Sequence, residues 1–196
     1  MRLPVSRTRP PRYDLPKAAP EPLRLVQLFL NTTDHEHGRE LLGTPEQVRT
    51  WFGGQGLDPG PVGHASARRV RAVRESVRGL LVEHGQDEVL ADAARRARLT
   101  LDLAGGRLVP QAAGLDAVLG TILATIYDAA NDGTWARLKA CRNCGWAYWD
   151  ASRNRSATWC SMQLCGNRAK VRRYRGARDR RGSRAAAGAE IPRSGV

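Results

Sequence analysis

Cys141-Arg-Asn-Cys144-Gly-Trp-Ala-Tyr-Trp149, followed after fifteen residues from Cys144 by Cys160-Ser-Met-Gln-Leu-Cys165, is the stretch that decides how this chain is read. Two close thiol pairs separated by a hairpin-sized gap suit a tetrahedral zinc ion. Each pair spans one edge of the tetrahedron, and the gap lets the chain come back. Gly145 fits a knuckle in which the backbone turns tightly and aims amides at the sulfurs. Trp146 to Trp149 has the aromatic composition of a strand covering the metal, with Thr158-Trp159 expected to return antiparallel to it. Cys165 is expected in the first turn of a helix, where the positive end of the dipole favours a thiolate. A redox Cys-x-x-Cys needs no second pair, so Cys141, Cys144, Cys160 and Cys165 are the expected ligands of a structural Zn2+. A module of about 40 residues buries too little apolar surface to fold alone, and the metal is expected to supply most of its stability. All four histidines lie upstream; His35-Glu36-His37 beside Asp34 reads as a polar loop in preference to a second metal site.

Outward from that stretch, charge is spread unevenly. Of 196 residues, 1–134 hold 17 Lys+Arg against 16 Asp+Glu, whereas 135–196 hold 15 against 3. Arg outnumbers Lys 29 to 3, which coding bias can inflate, but bias does not remove acids from one end only. The asymmetry points to a polyanionic partner for the C-terminal part. The longest apolar stretch, Leu115 to Ile126, is too short to cross a bilayer, and Met1 to Lys17 lacks the apolar core of a signal peptide. A cytoplasmic protein with no membrane partner is expected.

The first half reads as mainly α. Residues 1–22, with six prolines and five basic residues, are expected to form a disordered arm. A helix begins near Leu23, with Leu25, Val26, Leu28 and Phe29 on one face, and ends at Asn31-Thr32-Thr33-Asp34. A buried strand is the alternative for so short a run. Thr44, Pro45 and Gln47 spell a capped helix start ahead of Val48, Trp51 and Phe52. From Ser66 to His84, Val70, Val73, Val77, Leu80 and Leu81 face inward, and five arginines between Arg68 and Arg78 are expected as solvated surface. Asp87 caps the next helix, which turns Leu90, Ala93, Ala94 and Ala97 inward. Leu99, Leu101 and Leu103 then alternate with polar residues, and Ala104-Gly105-Gly106 turns back to Leu108-Val109, one β-hairpin. A helix from Leu115 to Ala130 closes this half. The expected fold is therefore mainly α with a short hairpin, a helical domain over 23–134 followed by a small treble-clef-like four-cysteine finger over 135–178 and a disordered basic tail over 179–196.

Asp150, Ser152-Arg153-Asn154-Arg155-Ser156, Trp159-Cys160-Ser161-Met162 and Cys165-Gly166-Asn167-Arg168-Ala169-Lys170 resemble the signature of the CGNR zinc-finger family. In that family the finger follows a helical ABATE domain, whose opening motif Leu25-Val26-Gln27-Leu28-Phe29-Leu30-Asn31-Thr32 resembles. The resemblance implies a stress-linked transcriptional regulator that binds DNA through the finger.

On a helix starting near Ser161, Met162, Cys165 and Ala169 would face the metal, and Arg168, Arg172 and Arg175 would share an arc of about 60°. Guanidinium groups so arranged contact phosphates or guanine edges. Arg153, Arg155, Lys170 and Arg173 complete the expected nucleic-acid contacts, with Arg153 and Arg155 gripping phosphate from the loop between the cysteine pairs. Arg153, Asn154 and Arg168 carry an alternative role inside the finger, by bonding carbonyls or pairing with Asp150. The expected function is a zinc-dependent DNA-binding transcriptional regulator whose N-terminal domain senses an effector or mediates assembly, as a homodimer for instance. The alternatives are a protein-interaction adaptor, or an RNA binder that stacks bases on Trp146, Tyr148 and Trp149. An enzyme is not expected, because four thiolates leave no open metal position and no other catalytic constellation is visible.

Overall fold

The computed structural model describes residues 17–82 and 87–176. Its first helix, α1 (Leu23–Leu30), buries Leu23, Val26, Phe29 and Leu30 together with Gln27, so the buried stripe is rotated from the expected one and includes a polar residue. A two-residue pair follows, β1 (Thr33–Asp34) with β2 (Arg39–Glu40), antiparallel. Helix α2 (Pro45–Gly54) starts as its sequence dictates: the Thr44 hydroxyl accepts from Gln47 N–H, the Gln47 side chain reaches back to Thr44 N–H, and Pro45 occupies the first turn. Its Trp51 and Phe52 rings meet edge-on at 4.9 Å beside Phe29, an aromatic cluster over the end of α1.

Helix α3 (His64–Leu80) buries Val70, Val73 and Val77, while Leu80 and Leu81 are only half-buried. Asp87 caps α4 (Glu88–Ala97) by accepting from Val89 and Leu90 N–H. Strands β3 (Leu99–Asp102) and β4 (Arg107–Pro110) form the expected hairpin with Leu101 opposite Leu108. Leu101 and Leu103 are exposed instead of inward, because the hairpin lies along α5 (Gly114–Asn131) by β4 and leaves its tip in solvent. Helix α5 is buried nearly all round, and at Gly120 a Cβ would meet Ala97 Cβ at 2.6 Å and Pro110 Cβ at 2.9 Å. A glycine in mid-helix, costly by propensity, is what lets α4 and β4 close on α5.

Two further strands, β5 (Leu138–Ala140) and β6 (Ala147–Trp149), pair antiparallel across the first cysteine knuckle. Among the described residues the architecture is thus mainly helical with three short antiparallel pairs; a hairpin in the helical half and a pair in the finger were expected, and β1–β2 is additional. Thr158-Trp159 is not the partner of the aromatic strand; Leu138–Ala140 upstream takes that place, and Thr158 contributes a carbonyl to Arg142 N–H. No helix among the described residues is long and apolar enough to cross a membrane.

The apolar core does not stop at residue 134. Leu138 and Ala147 belong to the same buried cluster as α1, α3 and α5. Residues 17–22 are not a free arm either. Lys17 C=O accepts from Trp149 N–H, its ammonium donates to Trp159 C=O and sits 4.8 Å from the Tyr148 ring centroid, and Ala19 is buried in the core. Composition suggested disorder there, but backbone and ammonium groups find partners about 130 residues away that no local pattern reveals. The rest of the expected arm, 1–16, and the tail at 179–196 lie outside the described residues.

The arginines of α3 depart most from expectation. Arg74 is buried and forks onto Glu40 at 2.6 and 2.7 Å, with Glu75 and the Thr32 hydroxyl as further partners. Arg71 donates to the carbonyls of Leu42 and Gly43, and Arg78 to those of Leu30 and Gly145. These guanidiniums clasp the β1–β2 segment and the finger instead of coating a solvated face. Burial raises the Glu40 carboxyl, but the Arg74 fork and Leu42 N–H outweigh it and hold it below its ordinary value. A depressed carboxyl contributes stability that is present above its unfolded value of about 4.3 and lost as pH falls through the folded one. The stability gap between the native protein and Glu40→Gln should therefore be open at neutral pH and close as pH falls below the ordinary carboxylate range, as read by urea unfolding at a series of pH values.

Candidate metal centre

The four thiols converge as the spacing requires. Cys144 and Cys160 Sγ lie 3.7 Å apart, Cys160 and Cys165 3.6 Å, Cys165 and Cys144 3.7 Å. All four ligand atoms fall within 4.8 Å of one another, the one such group of His, Cys, Asp or Glu among the described residues. Sulfurs bound at about 2.3 Å in a tetrahedron stand about 3.8 Å apart, so the three edges among Cys144, Cys160 and Cys165 match zinc as they stand, with Cys141 close enough to complete the set. Cys141, Cys160 and Cys165 are buried and Cys144 half-buried, and none of the four is in a disulfide. In the absence of a cation, thiol hydrogen bonds from Cys144 and Cys160 pull Cys141 well below the thiol range, and the bond to Cys141 pushes Cys144 up to about 12. Four thiolates so close cannot ionise together unless a cation neutralises them, which is the chemistry of a closed four-sulfur zinc site.

Local geometry shapes each half. In the first knuckle, Gly145 takes φ +71 and its N–H donates to Cys141 C=O at 2.8 Å, while Cys141 N–H donates to Trp146 C=O. A left-handed residue is needed for that turn, hence glycine. In the second half, Ser161 caps a single wide turn, Met162–Gly166, that carries Cys165 and runs on into a last helix, α6 (167–176). Gly166 sits where a Cβ would come within 3.2 Å of the Trp159 ring. Trp146 and Tyr148 are buried against the sulfurs as expected of a cover. Met162, expected on the metal side, is exposed, because the wide turn shifts the register of the helix face.

The loop between the cysteine pairs is built around Asp150. Its carboxylate accepts from Lys139 Nζ at 2.7 Å and from Ser152 and Ala157 N–H at 2.9 Å. Burial opposes ionisation there, but these donors win and hold the group well below the carboxylate range. Asp150 thus pairs with Lys139, not with Arg153 or Arg168. Arg137 adds bonds to the carbonyls of Asp150 and Ser152, so the loop is fixed from beneath, and Arg153 and Arg155 are left exposed on its outside.

The arginine stripe of α6 divides in two. Arg168 is ion-paired with Glu36 in the β1–β2 turn. Arg172 donates to Asn143 Oδ1, and Asn143 Nδ2 in turn points at Cys165 Sγ at 3.4 Å, a side-chain relay that steadies a ligand sulfur. Lys170, Arg173 and Arg175 are exposed, with Tyr174 and Val171 between them. His35 and His37, weighed as further metal ligands, stay in a polar loop: His37 Nδ1 bonds Asp34 Oδ2 at 2.7 Å, and His35 lies beside Glu75.

Sequence reasoning missed what anchors the centre to the helical half. Asn31, at the end of α1, accepts from Ala147 N–H at 2.8 Å and donates to Ala147 C=O at 2.9 Å, completing β6 as a neighbouring strand would. Gln27, one turn back, donates to the same carbonyl and to Lys17 C=O, and accepts from Ala19 N–H. The available signal was a polar i, i+4 pair, Gln27 and Asn31, enclosing the apolar run Leu28-Phe29-Leu30. Arg78 reaches the knuckle itself at Gly145 C=O.

A four-sulfur cluster with one pair on a knuckle and the last cysteine on the turn that leads into a helix has the design of a zinc finger. Residues 137–178 match the family model of the CGNR zinc finger. No curated protein matches the chain.

Proposed function

We propose that the chain is a zinc-dependent DNA-binding transcriptional regulator of the cytoplasm, with the finger on DNA and the helical part, an ABATE-like domain, sensing an effector or mediating assembly. The observation that carries this reading is a cluster of exposed cations on one small module, among them Arg153 and Arg155 on the rigid loop and Lys170, Arg173 and Arg175 on α6. Acids are scarce beside them, and the loop is held by Asp150 at little entropic cost to the arginines it carries. The metal, with every position filled by sulfur, organises the surface and performs no chemistry, so the reading is not that of an enzyme. When bound, zinc supplies the neutralising charge; Arg137, Lys139 and Asp150 fix the loop.

If these five groups each neutralise a phosphate, log K falls with log salt at a slope of about −4.5. The triple variant Arg153→Ala, Arg173→Ala and Arg175→Ala is expected to flatten the slope to about −1.8, measured by fluorescence anisotropy on a labelled duplex. A salt-indifferent interaction, or one untouched by the triple change, rejects the reading. Selection from random duplexes with and without chelator then asks whether a motif is enriched only with metal present. The exposed Val171 and Tyr174 on α6 favour the adaptor reading as second choice, since apolar groups on a binding helix suit a protein partner. That reading predicts no duplex shift but retention of an acidic partner that Tyr174→Ala releases.

A further inference from the structure

Arg168 stands on the helix proposed to meet DNA, yet its guanidinium is engaged across the molecule by Glu36, 132 residues away in sequence. The acid is held in place by its own turn. Asp34 Oδ1 accepts from the N–H groups of Glu36 and His37, and Asp34 Oδ2 binds His37 Nδ1 at 2.7 Å, so the turn between β1 and β2 is fixed with Glu36 directed at α6. Below the turn, Glu40 is forked by buried Arg74, which ties β2 to α3. Glu36 is therefore presented by a braced hairpin, and α6 (167–176) itself contains no acid.

From this geometry we infer that the β1–β2 turn is an electrostatic latch: the Glu36 carboxylate occupies Arg168 in the free protein, and a nucleic-acid phosphate displaces it on binding. The inference rests on the DNA-binding reading and deepens it, because it names a regulator of that surface inside the chain. A carboxylate and a phosphodiester make the same charge-assisted, two-pronged contact to a guanidinium, so one can replace the other without a new side-chain conformation class. The exchange is cheap because the pair is partly wet, with 38% of the Arg168 side chain and 20% of that of Glu36 exposed. Partly exposed ion pairs contribute little net stability, and a phosphate array outcompetes a single carboxylate. Arg172 does not exchange in this way: its partner is the neutral Asn143 that steadies Cys165. Through the hairpin the latch links α6 to the Arg74 cluster on α3, so anything that moves β1–β2 frees or holds Arg168.

The test uses the full, zinc-loaded chain and a labelled random duplex of about 20 base pairs, by anisotropy at several salt concentrations. Glu36→Gln is expected to bind about fivefold tighter at an essentially unchanged salt slope, because Arg168 meets the same phosphate in both complexes and only the cost of displacing the carboxylate is gone. Glu46→Gln, which removes the same charge from the outer face of α2, is expected to gain less than about half of that, since screening hides distant charges. In an Arg168→Ala background, Glu36→Gln is expected to gain nothing beyond that control. Unchanged or weaker binding by Glu36→Gln, or a gain that survives without Arg168, overturns the latch and leaves Glu36 a brace. If Glu36→Gln loses zinc or folds poorly, the native chain answers alone: duplex titration must shift the Arg168 side-chain Nε–Hε resonance, and an unmoved resonance overturns the proposal. Native protein that does not bind duplex at all sinks the parent reading and the latch together, whereas binding without the gain sinks only the latch.

Discussion

Stripping the metal will loosen the helical half as well as the finger. The reason is the shared core: Leu138 and Ala147, which flank the first knuckle, are packed among the side chains of α1, α3 and α5. Without a cation the four thiols repel or hold protons, the knuckle has no reason to stay closed, and β5–β6 loses its anchor. Withdrawing Leu138 and Ala147 from the core then costs about 2–4 kcal/mol in lost burial and cavity. For a chain of this size each kcal/mol is worth about 2–4 °C, so the helical melting transition should fall by roughly 5–15 °C on chelation. Cys165→Ala should do the same permanently, because Cys165 is buried and joins both cysteine pairs. Circular dichroism of the helical signal with and without chelator, beside metal analysis of the purified protein, checks this. A helical transition that ignores the metal would mean that finger and helices merely touch.

The second large effect is expected at Asn31. Asn31→Ala removes both bonds to Ala147, whose backbone lies wholly buried. Gln27 still reaches the carbonyl at 3.2 Å, but the Ala147 N–H loses its acceptor. An unsatisfied buried donor costs about 1–3 kcal/mol, and the second lost bond adds about 1 kcal/mol. Because Ala147 lies in the strand that closes the knuckle, the loss appears in two readouts. The melting temperature falls, and the zinc dissociation constant rises by about 30- to 1000-fold, since destabilising the metal-bound fold by about 2–4 kcal/mol weakens the metal by the same free energy. Competition against a chromophoric chelator measures the second. Asn31→Asp should be at least as harmful, because it keeps the acceptor but aims a carboxylate at the Ala147 carbonyl. A normal zinc affinity in Asn31→Ala would show that the clamp holds the helices together without serving the metal.

The cysteine quartet was legible because its signal is local in chemistry and strict in number: two pairs, a hairpin-sized gap and a glycine after the second sulfur leave one geometry. The capped start of α2, the Asp87 cap of α4 and the β3–β4 hairpin were legible for a like reason, since each is decided within four or five residues. The strand partner of Tyr148 was not. Both Leu138–Ala140 and Thr158-Trp159 lie within hairpin reach, and apolar content cannot rank them; the choice falls to the upstream strand because Leu138 fills the helical core.

The same limit explains the arginines. An amphipathic pattern assigned Arg74 and Arg78 to water, and they are among the most enclosed polar groups of α3. The pattern sees only the helix itself, whereas burial of a guanidinium is decided by a carboxylate or carbonyl brought up from elsewhere: Glu40 for Arg74 and Gly145 for Arg78. Sequence by itself determined the cysteine quartet positioned for a metal, the helical character and the excess of positive charge at one end, because these follow from composition, short spacing and backbone capping. Tertiary structure alone decided that the finger is stitched into the helices and which cations remain open to a partner. Those facts depend on contacts between residues far apart along the chain, Asn31 with Ala147 and Glu36 with Arg168 above all, and no local period of the chain records them.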